Sequence, residues 1–131
     1  MSALGGLSRP AHGAPSDGTI GPGEARAVLT RSGCRLEFTI SPNLGGRIES
    51  TFTLRLTRAG RPVPATVSAV FTMQAMQMPS LDLILKPKAP GIYQGSGEKL
   101  TMPGRWQIRL RIVPRREPPL EVTLTDIATV E

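Results

Sequence analysis

Methionine thioethers are the groups in this sequence best suited to specific chemistry. Residues 71–79 read FTMQAMQMP and contain Met73, Met76 and Met78, while Met102 lies in a Pro-Gly turn further along the chain. Thioether sulfur is a soft, neutral ligand that selects Cu(I) over harder divalent ions. Met76 and Met78 are two residues apart, so in an extended stretch they project to the same side. With Met102 from a facing loop they predict a trigonal Cu(I) site, and Met73 is a fourth candidate ligand.

The same methionines also allow a purely structural interpretation. Met73 continues the inward parity of Val67, Ala69 and Phe71, which indicates a place in the core. The methionines of the following turn suit irregular gaps, because methionine is unbranched and flexible, and they would then close the end of the fold. Residue types alone leave the metal site and the packing role both open.

Other reactive groups are sparse. The one histidine, His12, lies in a Gly- and Pro-rich N-terminal segment, and the one cysteine, Cys34, has no partner for an internal disulfide. Cys34 shares the parity of an apolar strand, which favours a small buried hydrophobic residue. No nucleophile–base pair, phosphate-binding loop or Cys/His zinc set can be assembled from the folded part. We therefore expect no catalytic residues, no enzymatic activity and no small-molecule substrate.

The elements that position the methionines are predicted by a period of two. Apolar residues alternate with polar ones in segment after segment, and Gly- or Pro-containing turns separate the segments. The predicted strands are residues 27–31, 35–41, 48–57, 64–73, 81–86, 91–98, 104–113 and 120–128. Short strands at this spacing predict an all-β, immunoglobulin-like antiparallel β-sandwich of seven to eight strands over residues 26–131, with Trp106 as a core anchor.

The N-terminal segment differs from the rest of the chain. Residues 1–25 are dominated by Ala, Gly, Pro and Ser without an apolar period, so we expect a disordered linker or tail. No run of 18 apolar residues exists, and the N-terminus lacks the pattern of an intact signal peptide. These features leave a cytoplasmic protein and a soluble part of something larger both open.

The positive charge is spread along the chain. The formal net charge is +6, and 13 of the 16 basic residues are arginine. Only residues 105–116 form a dense group, in which Arg105, Arg109 and Arg111 share an outward face, followed by Arg115 and Arg116. The aromatic residues of a single-strand stacking platform are missing there. We therefore expect a solvated, Arg-rich surface and no nucleic-acid partner.

Several short motifs, taken in order, resemble the YtkA-like domain family. They are the methionine-containing stretch 71–79, a PGIY turn at 90–93 and a strand entry at 102–106 that reads MPGRW. Upstream, SPNLGG at 41–46, FTLRL at 52–56 and GRPV at 60–63 are also similar to that family. The resemblance covers about residues 34 to 114, and the order and spacing of the motifs make it more specific than any one of them.

The resemblance implies an immunoglobulin-like sandwich on the outer side of the bacterial cytoplasmic membrane, periplasmic or anchored to the membrane in the full-length protein. Similar domains form the C-termini of copper-resistance membrane proteins, and FixH-like proteins of cytochrome oxidase assembly are related. Met73, Met76, Met78 and Met102 match the family's methionine positions, which implies copper ligands. Because the folded part has no histidine, the implied site is a methionine-only Cu(I) site rather than a Cu(II) site.

Two functions follow as expectations. The first is a non-enzymatic copper-handling domain that binds Cu(I) weakly and passes it to a membrane partner, such as a copper transporter or an oxidase subunit. The second is a metal-free interaction module that assists the assembly or stability of a membrane protein complex, docking through exposed strand edges and the methionine-rich tip.

Overall fold

The described part of the chain folds into ten β-strands. A computed structural model describes residues 16–22, 26–73, 75–76 and 78–130. The strands are β1 (Gly18–Thr19), β2 (Arg26–Arg31), β3 (Cys34–Ser41), β4 (Ser50–Arg58), β5 (Arg61–Pro62), β6 (Ala65–Met73), β7 (Leu81–Ala89), β8 (Ile92–Gly97), β9 (Gly104–Pro114) and β10 (Leu120–Ala128). Among these described residues no helix is long and apolar enough to cross a bilayer.

The strands form two facing layers joined by one strand. The order is β1-β10-β9-β6-β7-β8-β4-β3-β2, with β5 paired to the end of β4. All neighbours are antiparallel except β1 and β10. The first half of β7 pairs with β6 and its second half with β8, so β7 passes from one sheet to the other. The predicted all-β sandwich is confirmed, in a barrel-like form whose sheet is nearly closed.

The predicted alternation determines the core. In β9, Trp106, Ile108, Leu110 and Ile112 have no exposed surface, while the intervening residues face outward. From the opposite sheet, Phe52 packs between two other rings, 6.4 Å from Phe38 and 4.8 Å from Phe71 between ring centroids. Cys34 and Trp106 are fully buried, which confirms the burial predicted for both.

Part of the segment expected to be a tail belongs to the sheet. The Ile20 N–H donates to the Thr125 carbonyl, and the Asp17 carboxylate accepts from the Thr123 N–H at 2.8 Å. Asp17 also pairs with Arg31 at 2.6 Å. Residues 16–22 are held by backbone pairing to the edge of β10 rather than by an apolar period, which is why the sequence pattern does not show them. Residues 1–15, with His12, and 23–25 lie outside the described residues.

The antiparallel topology gives the molecule two distinct ends. One end, the methionine end, holds the turns after β3, β6 and β8, whose described residues are 42–49, 75–76, 78–80 and 98–103. The other end, the proline end, holds residues 59–64, 90–91 and 115–119. Both the methionine segment and Met102 therefore emerge at the same end of the sandwich.

Candidate metal site at the methionine end

Met73 is the innermost of the four candidate ligands. It ends β6 opposite Trp106 of β9, and only 3% of its surface is exposed. Its terminal methyl lies against the backbone of Gly104, where an added Cβ would come within 2.7 Å of it. The structure therefore places Met73 in the core, as its inward parity indicated, and its sulfur is the least accessible of the set.

Met76 and Met78 lie in the tight turn that follows Met73. The Met76 N–H donates to the Met73 carbonyl at 3.3 Å, and the Met78 N–H donates to the Met76 carbonyl at 3.0 Å. Met76 is half-exposed, at 50%, whereas Met78 is half-buried against the edge of the core. The intervening Gln74 and Gln77 lie outside the described residues. This turn presents one thioether to solvent and holds a second at the boundary of the core.

Met102 reaches the same end from the turn before β9. Its carbonyl accepts a 2.9 Å hydrogen bond from the Trp106 indole, and its side chain is half-buried against the core. Gly45, in the turn after β3, lies directly against this backbone, since a Cβ there would come within 2.5 Å of the Met102 carbonyl carbon and the Pro103 Cα. The backbone of Met102 is thus fixed from two sides.

The donor set at this end is chemically soft. Among the described residues, no group of three His, Cys, Asp or Glu side chains is placed to hold a metal ion. The sulfur groups that are partly exposed at this end are the thioethers of Met76, Met78 and Met102. A neutral sulfur set suits Cu(I), which accepts few soft ligands, and does not suit Zn(II) or Cu(II), which favour imidazole or carboxylate.

A buried polar pair that the sequence analysis missed lies beside this site. Asp126 of β10 is fully buried opposite Trp106, and its Oδ1 accepts from the Asn43 side-chain amide at 2.8 Å and the Gly21 N–H at 3.2 Å. Asp126 Oδ2 and Asn43 Oδ1 have no hydrogen-bond partner among the described residues. Burial raises the pKa of the Asp126 carboxyl to about 6, against the opposing effect of hydrogen bonds from Asn43 and the Ile127 backbone. The alternation of Val122 and Leu124, which both point inward, extends to position 126 and could have predicted that Asp126 is buried.

Cys34 lies at the opposite end from the methionines. Its sulfur accepts a 3.1 Å hydrogen bond from Arg58, which also holds Glu117 through both terminal nitrogens at 2.7 and 2.8 Å. The arginine keeps the pKa of the Glu117 carboxyl below its ordinary value. This arrangement ties the end of β4 to the turn after β9 and takes no part in the methionine site.

Comparison with known proteins supports the fold and the family. A crystal structure of a DUF4426 family protein from Pseudomonas aeruginosa superposes with a TM-score of 0.61 at 10% identity, covering 81% of this chain and 96% of that one. That likeness shows the fold alone. A search of curated proteins finds no match. The model of the family described as YtkA-like matches residues 35–111, which include Met73, Met76, Met78 and Met102. Over more than half of its length, therefore, the chain carries the pattern of that family, and it belongs to the YtkA-like family.

Proposed function

We propose that this domain is a non-enzymatic copper-handling module that binds Cu(I) through Met76, Met78 and Met102. The observation that carries the proposal is the placement of these three partly exposed methionines in the turns of two adjacent strands, β6 and β9, at one end of the sandwich. Met73 is buried in the core at the end of β6, so we do not assign it as a ligand. When bound there, Cu(I) would be held by neutral sulfurs alone, which favours weak binding and ligand exchange.

The accessibility of the thioethers supports transfer rather than storage. Met76 is the most exposed of the set, so an incoming ligand from a partner would meet it first. Met78 and Met102 are half-buried and would release the ion after it. We propose a membrane protein as the partner, either a copper transporter or an oxidase subunit, and an extracytoplasmic location facing it.

Competition for Cu(I) tests the site directly. The reduced protein is titrated with Cu(I) against bathocuproine disulfonate, and the triple variant M76L/M78L/M102L is compared with the wild type. Leucine keeps volume and apolarity, so the fold is expected to persist. We expect one Cu(I) per chain in the wild type and at least a tenfold lower affinity in the triple variant, because only the soft ligands have been removed.

A single substitution provides the matched control. M73L replaces a methionine of the same segment whose side chain is buried in the core, and we expect its Cu(I) affinity to stay within threefold of the wild type. Equal affinities of the wild type and the triple variant would exclude these residues as the site. If M73L lost Cu(I) binding while the triple variant kept it, the binding site would have to lie in the core at Met73.

The metal-free interaction module is favoured by a different observation. Met76 and Ile84 are large apolar side chains left 50% and 64% exposed. Exposed methionine adapts to varied apolar surfaces, so it suits docking without metal. Two results together would favour this function. The wild type would bind no stoichiometric Cu(I), and a partner that co-purifies with the wild type would no longer co-purify with M76D.

A further inference from the structure

The proline end carries a groove, at the opposite end of the sandwich from the proposed Cu(I) site. Its volume is about 390 Å³, and the rings of Pro62, Pro64, Pro87 and Pro90 line it. All four prolines are exposed, whereas the ring of Tyr93, which also lines the groove, is buried. A concave apolar surface of this size is in the range of ligand-binding sites. Four exposed proline rings around one depression are therefore a candidate contact surface.

The groove is rigid and its walls are already hydrogen-bonded. The Tyr93 hydroxyl donates to the Val63 carbonyl and accepts from the Ala65 N–H at 2.9 Å. The Pro64 carbonyl accepts from the Arg115 N–H at 3.2 Å. Proline also fixes the backbone φ of the wall residues. Because these backbone groups are paired, a bound segment would be recognised through side-chain contacts rather than by adding a strand.

The charge around the groove has one sign. Lys88 and Arg115 line it, and none of the described residues that line it is acidic. Lys88 is the extra residue of a β-bulge between β7 and β8, where the register shifts from Pro87 to Ala89. A bulge changes the direction in which a side chain points, and this bulge occurs at Lys88, which lines the groove. The rim is therefore complementary to carboxylates.

A second depression extends the positive surface. Its volume is about 230 Å³, and it shares Pro62, Pro64 and Arg115 with the first before continuing to Arg58 and Arg61. Its one acidic residue, Glu117, is held by both terminal nitrogens of Arg58. The two depressions therefore adjoin, and together they bring exposed proline rings next to Lys88, Arg61 and Arg115.

We propose that this surface, the proline groove, binds an extended acidic segment of a partner protein. Apolar side chains of the segment would pack on the proline rings, and its carboxylates would pair with Lys88 and Arg115. The groove favours a polypeptide over a nucleic acid because its aromatic ring, Tyr93, is buried and not available for base stacking. It favours a polypeptide over a lipid surface because the site is concave.

Selection from a random decapeptide library displayed on phage tests the proposal. We expect selected peptides to combine Asp or Glu with apolar residues, and to bind the double variant K88E/R115E at least tenfold more weakly by fluorescence anisotropy. The matched control is R105E/R109E, which changes the net charge equally on exposed residues of β9 away from the groove. We expect it to change the affinity by less than twofold at the same ionic strength.

Three binding results would overturn the proposal. The first is that the selected peptides show no excess of acidic residues. The second is that both double variants weaken peptide binding equally. The third is that a dT20 oligonucleotide or phosphatidylglycerol vesicles bind more tightly than the peptides, in a way that depends on Lys88 and Arg115. Should K88E/R115E fail to fold by circular dichroism, K88Q/R115Q removes the charges without reversing them and should weaken the peptides at least threefold. Amide shifts on peptide addition should fall at Ala65 and Tyr93; shifts confined to the methionine end would also exclude the groove.

Discussion

At the scale of single residues, Asp126 shows how burial changes the behaviour of a carboxyl group. The side chain is fully buried, and burial raises its pKa from 3.8 to about 6. A carboxyl whose folded pKa is raised favours the folded state when it is protonated. Its contribution to stability is therefore complete below pH 3.8 and is lost as the pH rises through 6. The shift corresponds to roughly 3 kcal/mol, at about 1.4 kcal/mol for each unit of pKa.

The substitution D126N should remove this loss of stability. We expect the wild type to lose unfolding free energy between about pH 4 and pH 7, and D126N to be flatter there and about 1–3 kcal/mol more stable at pH 7.5. The amide oxygen can still accept from Asn43 and Gly21, because those donors are unchanged. Urea unfolding at several pH values measures the difference.

A second acidic residue of β10 supplies the control for D126N. Glu121 is exposed and pairs with Arg111 at 3.2 Å, so E121Q removes a carboxyl from the same strand without changing the buried Asp126. The pKa of Glu117 is lowered from 4.5, so this carboxyl titrates below the pH range in which the wild type and D126N are compared. Parallel pH profiles for the wild type and D126N would show that Asp126 is not the responsible group.

At the same scale, the sequence predicted some of the site and not the rest. Parity assigned Met73 to the core because an alternating strand leads into it. No such periodicity exists in the turn, so the different exposures of Met76 and Met78 could not be predicted. Asp126 was detectable by parity, but its partner Asn43 comes from a turn 83 positions away in sequence, and only the tertiary fold brings the two together.

At the scale of elements, the turns of the methionine end are fitted against one another through glycine. The Gly45 N–H donates to the Thr129 carbonyl, and the Gly46 N–H donates to the Leu100 carbonyl. Gly45 lies so close to the Met102–Pro103 backbone that no side chain fits between them. The obstacle is backbone, which cannot rotate away as a flexible side chain can. The turn after β3 therefore sets the position of the turn that carries Met102.

The substitution G45A should displace the Met102 turn. We expect it to lower the free energy of unfolding by about 1–3 kcal/mol, in the range of overpacked sites, and to weaken Cu(I) binding because Met102 moves relative to Met76 and Met78. Urea unfolding and competition for Cu(I) measure the two effects. G97A is the control, because an added Cβ there meets only the flexible end of Lys99. A G45A protein as stable as G97A would contradict the close contact.

The strands themselves were largely predictable, and the exceptions share a cause. Alternation located β3, β6, β9 and β10 to within a residue at either end. The two-residue strands β1 and β5 are too short to show a period. The last three residues of β7, 87–89, were missed because the strand there has passed from one sheet to the other and both of its faces are exposed. Strands that bury one face can be read from sequence, whereas those determined by backbone pairing cannot.

At the scale of the whole molecule, the sandwich separates two surfaces of different chemistry. Strand β9 runs from Gly104 at the methionine end to Pro114 at the proline end, a length of about 33 Å at 3.3 Å per residue. One end offers soft, neutral sulfurs, and the other offers proline rings beside cations. A domain of this kind can contact two partners at once, because neither surface overlaps the other.

This separation predicts that binding at the two ends is independent. The residues concerned are well beyond the 7–10 Å over which substitutions usually couple, and the buried face of β9 lies between them. We expect K88E/R115E to leave the Cu(I) affinity within twofold of the wild type, and M76L/M78L/M102L to leave the affinity of an acidic decapeptide within twofold. Saturating the wild type with Cu(I) should likewise not change the peptide affinity, as measured by anisotropy.

The combined five-substitution variant makes the test sharper. If the ends are independent, its losses of Cu(I) and peptide affinity equal those of the two parent variants, and its change in unfolding free energy is the sum of theirs to within about 0.5 kcal/mol. A peptide affinity that rises or falls with bound Cu(I) would instead reveal coupling through β6 and β9. By linkage, the peptide would then change the Cu(I) affinity by the same factor. Such a result would make release of the ion dependent on partner binding at the opposite end.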